Sequence, residues 1–226
     1  MDFSYKNIYG SETYNEFVDI RRYVIDDKFL IETENYDLSD GFLLECDVYV
    51  DMEQGIDAKK ITLKNADRII YEYYCFYDHN FIFKDIIHHK NGHRYYPFHI
   101  DLYGISYLDV DTLEIYNYIP EGYPDSESFI IMDIHYDKKS NLIAYGGCYW
   151  ACPYDVMVGD FSDPLNFNPY LISIRDIFNC KYNIYFKEWK DNRLYVICKD
   201  GDSKTEKSLS VDELKEKINE LTERNL

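Results

Sequence analysis

The sequence predicts an all-β fold of propeller-like antiparallel repeats, about four of them, followed by one amphipathic helix. Three observations predict it. Short runs of Tyr, Phe, Ile and Val recur along the chain, separated by Asn, Asp and Gly turns. Two of the resulting hairpins overlay at a spacing of about fifty residues, with a looser third copy. The C-terminal stretch abandons this pattern for a capping box and an apolar stripe at helical spacing. The competing architecture is a β-sandwich, because antiparallel hairpins also resemble one another through their limited turn chemistry.

The elements follow in order. Residues 12–24 suit a short helix, with Tyr14, Phe17, Val18 and Arg21 on one side. Residues 28–35 and 41–50 read as paired strands around Asp37-Leu38-Ser39-Asp40-Gly41, and 68–76 as another strand. Runs 81–89 and 94–103 flank Asn91-Gly92, a strong hairpin signal. Runs 104–109 and 114–119 flank Val110-Asp111-Thr112-Leu113. Runs 129–136 and 142–146 flank a five-residue polar turn, and 155–161 and 170–174 come next. Runs 182–189 and 193–199 flank Lys190-Asp191-Asn192. In the overlay Tyr136 meets Trp189 and Leu142 meets Leu194, with the hairpin 81–98 as a looser copy. Ser210 and Glu213 form the capping box, and Val211, Leu214, Ile218 and Leu221 the stripe. The helix is expected to dock on the β body; the other reading is a partner-binding helix.

Length and composition bound the class. The chain has 226 residues, which predicts one domain over 1–226, with a β body at 1–209 and the helix at 210–226. Hydrophobic residues make up 46%, including 25 Tyr and 13 Phe, so burial can offset chain entropy and global disorder is excluded. Ten Gly and six Pro exclude collagen-like sequence. With 24 Lys plus Arg against 42 Asp plus Glu, the formal charge of −18 disfavours nucleic-acid binding, which needs a cationic surface. No apolar run approaches the roughly 18 residues of a membrane-spanning helix, and the N-terminus lacks a signal-peptide profile. Cytoplasmic residence is therefore expected. The six cysteines are expected to be reduced, mostly buried thiols. Only four Ala beside abundant Tyr, Ile, Asn and Lys suggests the codon bias of an AT-rich, bacterial genome.

Several constellations invite chemistry. Five of the six histidines lie between His79 and His99. A two-residue turn at Asn91-Gly92 would set Lys90 opposite His93 and His88 opposite Tyr95. His88 and His93 then share a face beside the Lys90 cation, and His89 takes the other, so an exposed polar tip is expected and no metal. Cys148 and Cys152 have three residues between them and lie in β surroundings, unlike a Cys-x-x-C redox pair, and only His135 could serve as a base nearby. Asp109-Val110-Asp111 lacks a calcium-loop continuation. No phosphate loop, nucleophile elbow or His-Glu-x-x-His occurs, so no cofactor is expected.

The segment 146–155 stands apart. Gly146-Gly147 marks backbone that a side chain would obstruct, and Tyr149, Trp150, Pro153, Tyr154 and Asp155 follow. Loops on a rigid β scaffold commonly carry recognition, and Trp and Tyr are favoured interface anchors. The candidate binding residues are Tyr103, Gly146, Gly147, Tyr149, Trp150, Tyr154 and Asp155.

Residues 89–164 contain Lys90-Asn91-Gly92, Asp101-Leu102-Tyr103-Gly104, Tyr118-Ile119-Pro120-Glu121 and Gly147-Cys148-Tyr149-Trp150-Ala151-Cys152-Pro153-Tyr154. This stretch resembles a group of small bacterial proteins that share the Gly-Cys-Tyr-Trp-Ala-Cys-Pro-Tyr core and have no assigned activity. The resemblance implies no catalytic residues. The functional expectation is a non-catalytic recognition protein whose acidity favours a basic protein partner, in its most specific form an immunity-type inhibitor. The alternative is a hydrolase using paired carboxylates in a cleft, with Asp101 and Asp155 as the first candidates.

Overall fold

The computed structural model describes residues 6–76, 82–121, 128–167 and 170–224. The described residues are mostly β, in four antiparallel sheets. The chain divides into two compact units: Met1–His88 with Gly92–Ser126, and His89–Asn91 with Glu127–Leu226.

The first unit opens with α1 (Glu12–Arg21), whose first turn is capped by Ser11 Oγ accepting from Tyr14 N–H. Its first sheet is the meander β1 (Leu30–Asp37), β2 (Phe42–Asp51), β3 (Ile56–Asn65) and β4 (Arg68–Cys75). Its second is β5 (Ile87–His88), β6 (Arg94–Phe98), β7 (Ile105–Asp109) and β8 (Ile115–Tyr118). Both sheets feed one core, with Leu44, Leu63 and Tyr73 from the first and Tyr96, Phe98 and Leu108 from the second. Two core phenols face each other there, Tyr73 and Tyr96, with oxygens 3.3 Å apart. Sharing that hydrogen bond gives each buried hydroxyl a polar partner.

The second unit holds the sheet β9 (Ile130–Asp137), β10 (Leu142–Cys148), β11 (Asp155–Asp160) and β12 (Ile172–Ser173). The short helix α2 (Ile174–Ile177) leads into the sheet β13 (Asn183–Lys190), β14 (Arg193–Asp200) and β15 (Ser203–Ser210), and α3 (Val211–Arg224) follows. Ala144, Val156 and Val158 pack with Ile184, Leu194 and Val196 in a core that α3 covers with Val211, Leu214 and Ile218. Full burial of a side chain such as Leu214 contributes roughly 1.5–3 kcal/mol. The helix is thus docked, on the stripe that the sequence marks.

Several expected boundaries shift. The run 81–89 shortens to Ile87–His88, and its first residue lies outside the described residues. The run 94–103 stops at Phe98. The run 170–174 keeps only Ile172–Ser173, because Ser173 Oγ accepts from Asp176 N–H and starts a helical turn. The Asn91-Gly92 register also differs, with His88 pairing with Arg94 and not with Tyr95. The turn is longer than two residues, and His89, which belongs to the second unit, donates its Nε2–H to Phe161 O there over 2.8 Å. His89 is 1% exposed, so the tip is not wholly a solvated one. The other described histidines of this cluster have separate partners: His88 meets Asp40, His93 meets Asp109, and His99 donates to Gly104 O. His79 lies outside the described residues.

Candidate functional site

The segment 146–155 links the C-terminal end of β10 to the start of β11 in the second unit. Gly146 pairs with Val156 and Gly147 with Asp155, while a bulge between the two glycines shifts their pairing with β9. The glycines are required by crowding. A Cβ on Gly147 would lie 1.9 Å from Ile130 O, and one on Gly146 would lie 2.1 Å from Asp133 Oδ1. The expectation of backbone that a side chain would obstruct is met, and the cause is close approach.

After the glycines the chain makes a tight turn in which Cys152 N–H donates to Tyr149 O over 2.9 Å. Ala151 adopts a φ of +57° at the third turn position, an unfavourable conformation for a residue with a Cβ. The turn places Trp150 at its second position, with 61% of its surface exposed. Tyr149 turns inward, edge-on to Phe129 at 5.4 Å. Large exposed aromatics at rigid tips are where binding energy concentrates in interfaces.

The far end of the segment is tied down by Asp133 of β9. Its Oδ2 accepts from Tyr154 Oη–H at 2.6 Å, and its Oδ1 accepts from Gly146 N–H at 3.0 Å. His135 Nε2 lies 3.1 Å from the same Oδ1. The imidazole stacks on Phe186 with centroids 3.7 Å apart, and Tyr154 stacks on Tyr185 at 4.8 Å. Tyr154 N–H donates to Asn183 Oδ1, and Tyr154 O accepts from Ile184 N–H, so β13 braces the segment as well. Burial pushes the Asp133 carboxyl up, but hydrogen bonds from His135, Tyr154 and Gly146 outweigh it and hold the group below its ordinary range. Burial and the Asp133 charge push the Tyr154 phenol far above its ordinary value, so it remains a fixed proton donor.

Asp155 is 2% exposed. Its Oδ1 accepts from Val156 and Arg175 N–H, and its Oδ2 accepts from Ser173 Oγ–H at 2.6 Å. Burial raises its carboxyl despite these bonds. The side chain organises the turn into α2 and does not face solvent. Tyr103 belongs to the first unit, half-buried against that unit's core, with its N–H donating to Asp101 Oδ1. The structure therefore gathers Gly146, Gly147, Tyr149, Trp150, Tyr154 and Asp155 in one unit and places Tyr103 in the other.

Cys148 and Cys152 flank the turn as free thiols. Burial, with the neighbouring Cys152, pushes the Cys148 thiol up, which makes it a poor nucleophile near neutral pH. Among the described residues no group of three or more His, Cys, Asp or Glu could hold a metal ion. Sequence reading set His135 beside the loop only as a base for its thiols and gave Asp133 no part in it. Their i, i+2 spacing on one strand, which sets both on one face, was the available signal. Tyr185 and Phe186, the stacking partners, carried none beyond strand composition. No helix of the described residues is long and apolar enough to cross a membrane. Neither any protein-family model nor any curated protein matches the chain.

Proposed function

We propose that the chain is a non-catalytic recognition protein whose contact surface centres on the 146–155 loop, with a basic protein as partner. The observation that carries this reading is Trp150. It stands exposed on a turn whose two ends are pinned by Gly147 against Ile130 and by Tyr154 against Asp133. A pre-ordered aromatic tip loses little entropy on docking. The net charge of −18 supports a cationic partner drawn by long-range attraction, of which an immunity-type inhibitor of a basic toxin is the most specific version. We further infer that the four sheets are repeats of one propeller-type unit. Their first strands begin at Leu30, Ile87, Ile130 and Asn183, a recurring interval of roughly fifty residues that supports this reading.

The test is affinity capture from bacterial lysate with the wild-type chain and with Trp150→Ala at low and high salt. A basic protein retained by the wild type should be lost, or bound about 30-fold more weakly, by the variant. Its capture should also fade as salt rises. Identical capture by both chains overturns the assignment of the loop. Turnover of a sugar or peptide substrate, lost in Asp155→Asn, would replace the reading with a hydrolytic one.

A further inference from the structure

The second unit contains a thiol pair that sequence spacing does not reveal. On β14 the inward row Leu194, Val196 and Cys198 runs along the core, and Cys198 pairs with Ile184 of β13 and Thr205 of β15. Cys180 arrives from the connection between α2 and β13. Its N–H donates to Arg175 O at 2.9 Å and its Sγ–H to Tyr182 O at 3.8 Å. Both are free thiols, both border the same apolar core, and both line one cleft of about 390 Å³. Tyr182, Asp200 and Lys207 line it too.

The two sulfurs differ in access. Cys180 is half-buried and reachable from the cleft, whereas Cys198 is 8% exposed. Each lies within the other's electrostatic reach: burial and the neighbouring Cys180 push the Cys198 thiol up, with the Lys207 ammonium pulling the smaller way against them, so Cys198 suits the later, resolving step and not the first attack. Lys207 is itself held over the Phe178 ring at 4.8 Å. An accessible thiol beside a second, shielded thiol is the arrangement of an attacking and a resolving cysteine.

We propose that Cys180 and Cys198 form a reactive dithiol site that a small hydroperoxide closes into an intramolecular disulfide. The Cys180 thiolate attacks one peroxide oxygen. The S–O bond forms as the O–O bond breaks, and the departing hydroxide or alkoxide takes a proton from solvent. Cys198, as its thiolate, then attacks the Cys180 sulfenic acid and expels hydroxide, which is protonated to water. In sum two thiols and one hydroperoxide give one disulfide, one water and one water or alcohol, so the sulfurs lose two electrons and the peroxide gains them. The site is independent of the loop assignment above.

The full-length chain, kept native, is treated with one equivalent of hydrogen peroxide, quenched with an alkylating agent, digested and mapped by mass spectrometry. The expected result is loss of two alkylatable thiols and a peptide pair joined through Cys180 and Cys198, reversed by a dithiol reductant. Cys198→Ala should instead leave Cys180 as a sulfenic acid that a cyclic 1,3-dione traps. If this core substitution prevents folding, the wild-type disulfide map decides alone. Oxidation of Cys180 to sulfinic acid with no linked peptide overturns the proposal. So does a map in which only Cys148 and Cys152 become joined, or one in which neither Cys180 nor Cys198 reacts.

Discussion

Tyr154 donates its phenolic proton to Asp133 Oδ2 over 2.6 Å, tying the end of the aromatic loop to a neighbouring strand. Removing that donor leaves the carboxylate short of a partner in a half-buried setting. Tyr154→Phe should therefore lower stability by about 1.5–2 kcal/mol, the lower part of the range for hydrogen bonds to charged groups. Urea unfolding followed by tryptophan fluorescence would read the loss. An unchanged midpoint would show that the bond contributes nothing net.

The same carboxylate predicts an acid-side dependence. Asp133 is held below its ordinary value of 3.8 when folded. It therefore contributes stability above that value, and the contribution is lost as pH falls through the depressed folded value. Compared with Asp133→Asn, the wild type should lose ground in thermal melts recorded as pH falls below about 4. Parallel curves for the two chains would contradict the assignment.

His93 predicts the opposite sign on the neutral side. Its hydrogen bond to the buried Asp109, at 2.6 Å, raises the imidazole above 6.5. The stabilisation is complete below 6.5 and disappears as pH rises through the raised folded value. His93→Gln should flatten the decline in melting temperature between about pH 6 and 8. A decline that survives the substitution must come from another group.

Two backbone substitutions around Trp150 should move stability in opposite directions. Ala151→Gly relieves a left-handed residue and should stabilise by about 1 kcal/mol. Gly147→Ala drives a Cβ against Ile130 O and should cost about 3 kcal/mol or more, since backbone must shift to admit it. Both are checked by denaturant midpoints, and equal effects would mean that the turn is more pliable than its contacts imply.

Ser210→Ala tests the feature most plainly written in the sequence. Glu213 N–H donates to Ser210 Oγ, and Glu213 Oε2 accepts from Ser210 N–H in return. Losing this box should cost about 1 kcal/mol, read as a fall in the urea midpoint. Local chemistry of this kind was legible because it involves residues three apart. Most hairpins were legible for the same reason. Asp191 and Asn192 both take positive φ, the two-residue turn that their side chains favour.

Two strands escaped sequence reading because their surroundings, and not their composition, make them strands. In β3 the charges that argue against a strand are neutralised across the sheet, Lys60 by Glu72 and Lys64 by Glu45. β15 is an edge strand whose only buried side chain is Leu209, so it has no alternation to detect. The loop itself was visible as an unusual run of glycine and aromatics. Its anchor was not, because Asp133 and Tyr154 are brought together by strand pairing across intervening turns.

The four sheets share one habit: every strand is bonded to the strands next to it along the chain. Closing such short connections costs little entropy, so no sheet waits for a distant segment before it can assemble. A chain emerging from the ribosome can finish each meander as soon as its last strand clears the exit, and folding can keep pace with translation from one end to the other.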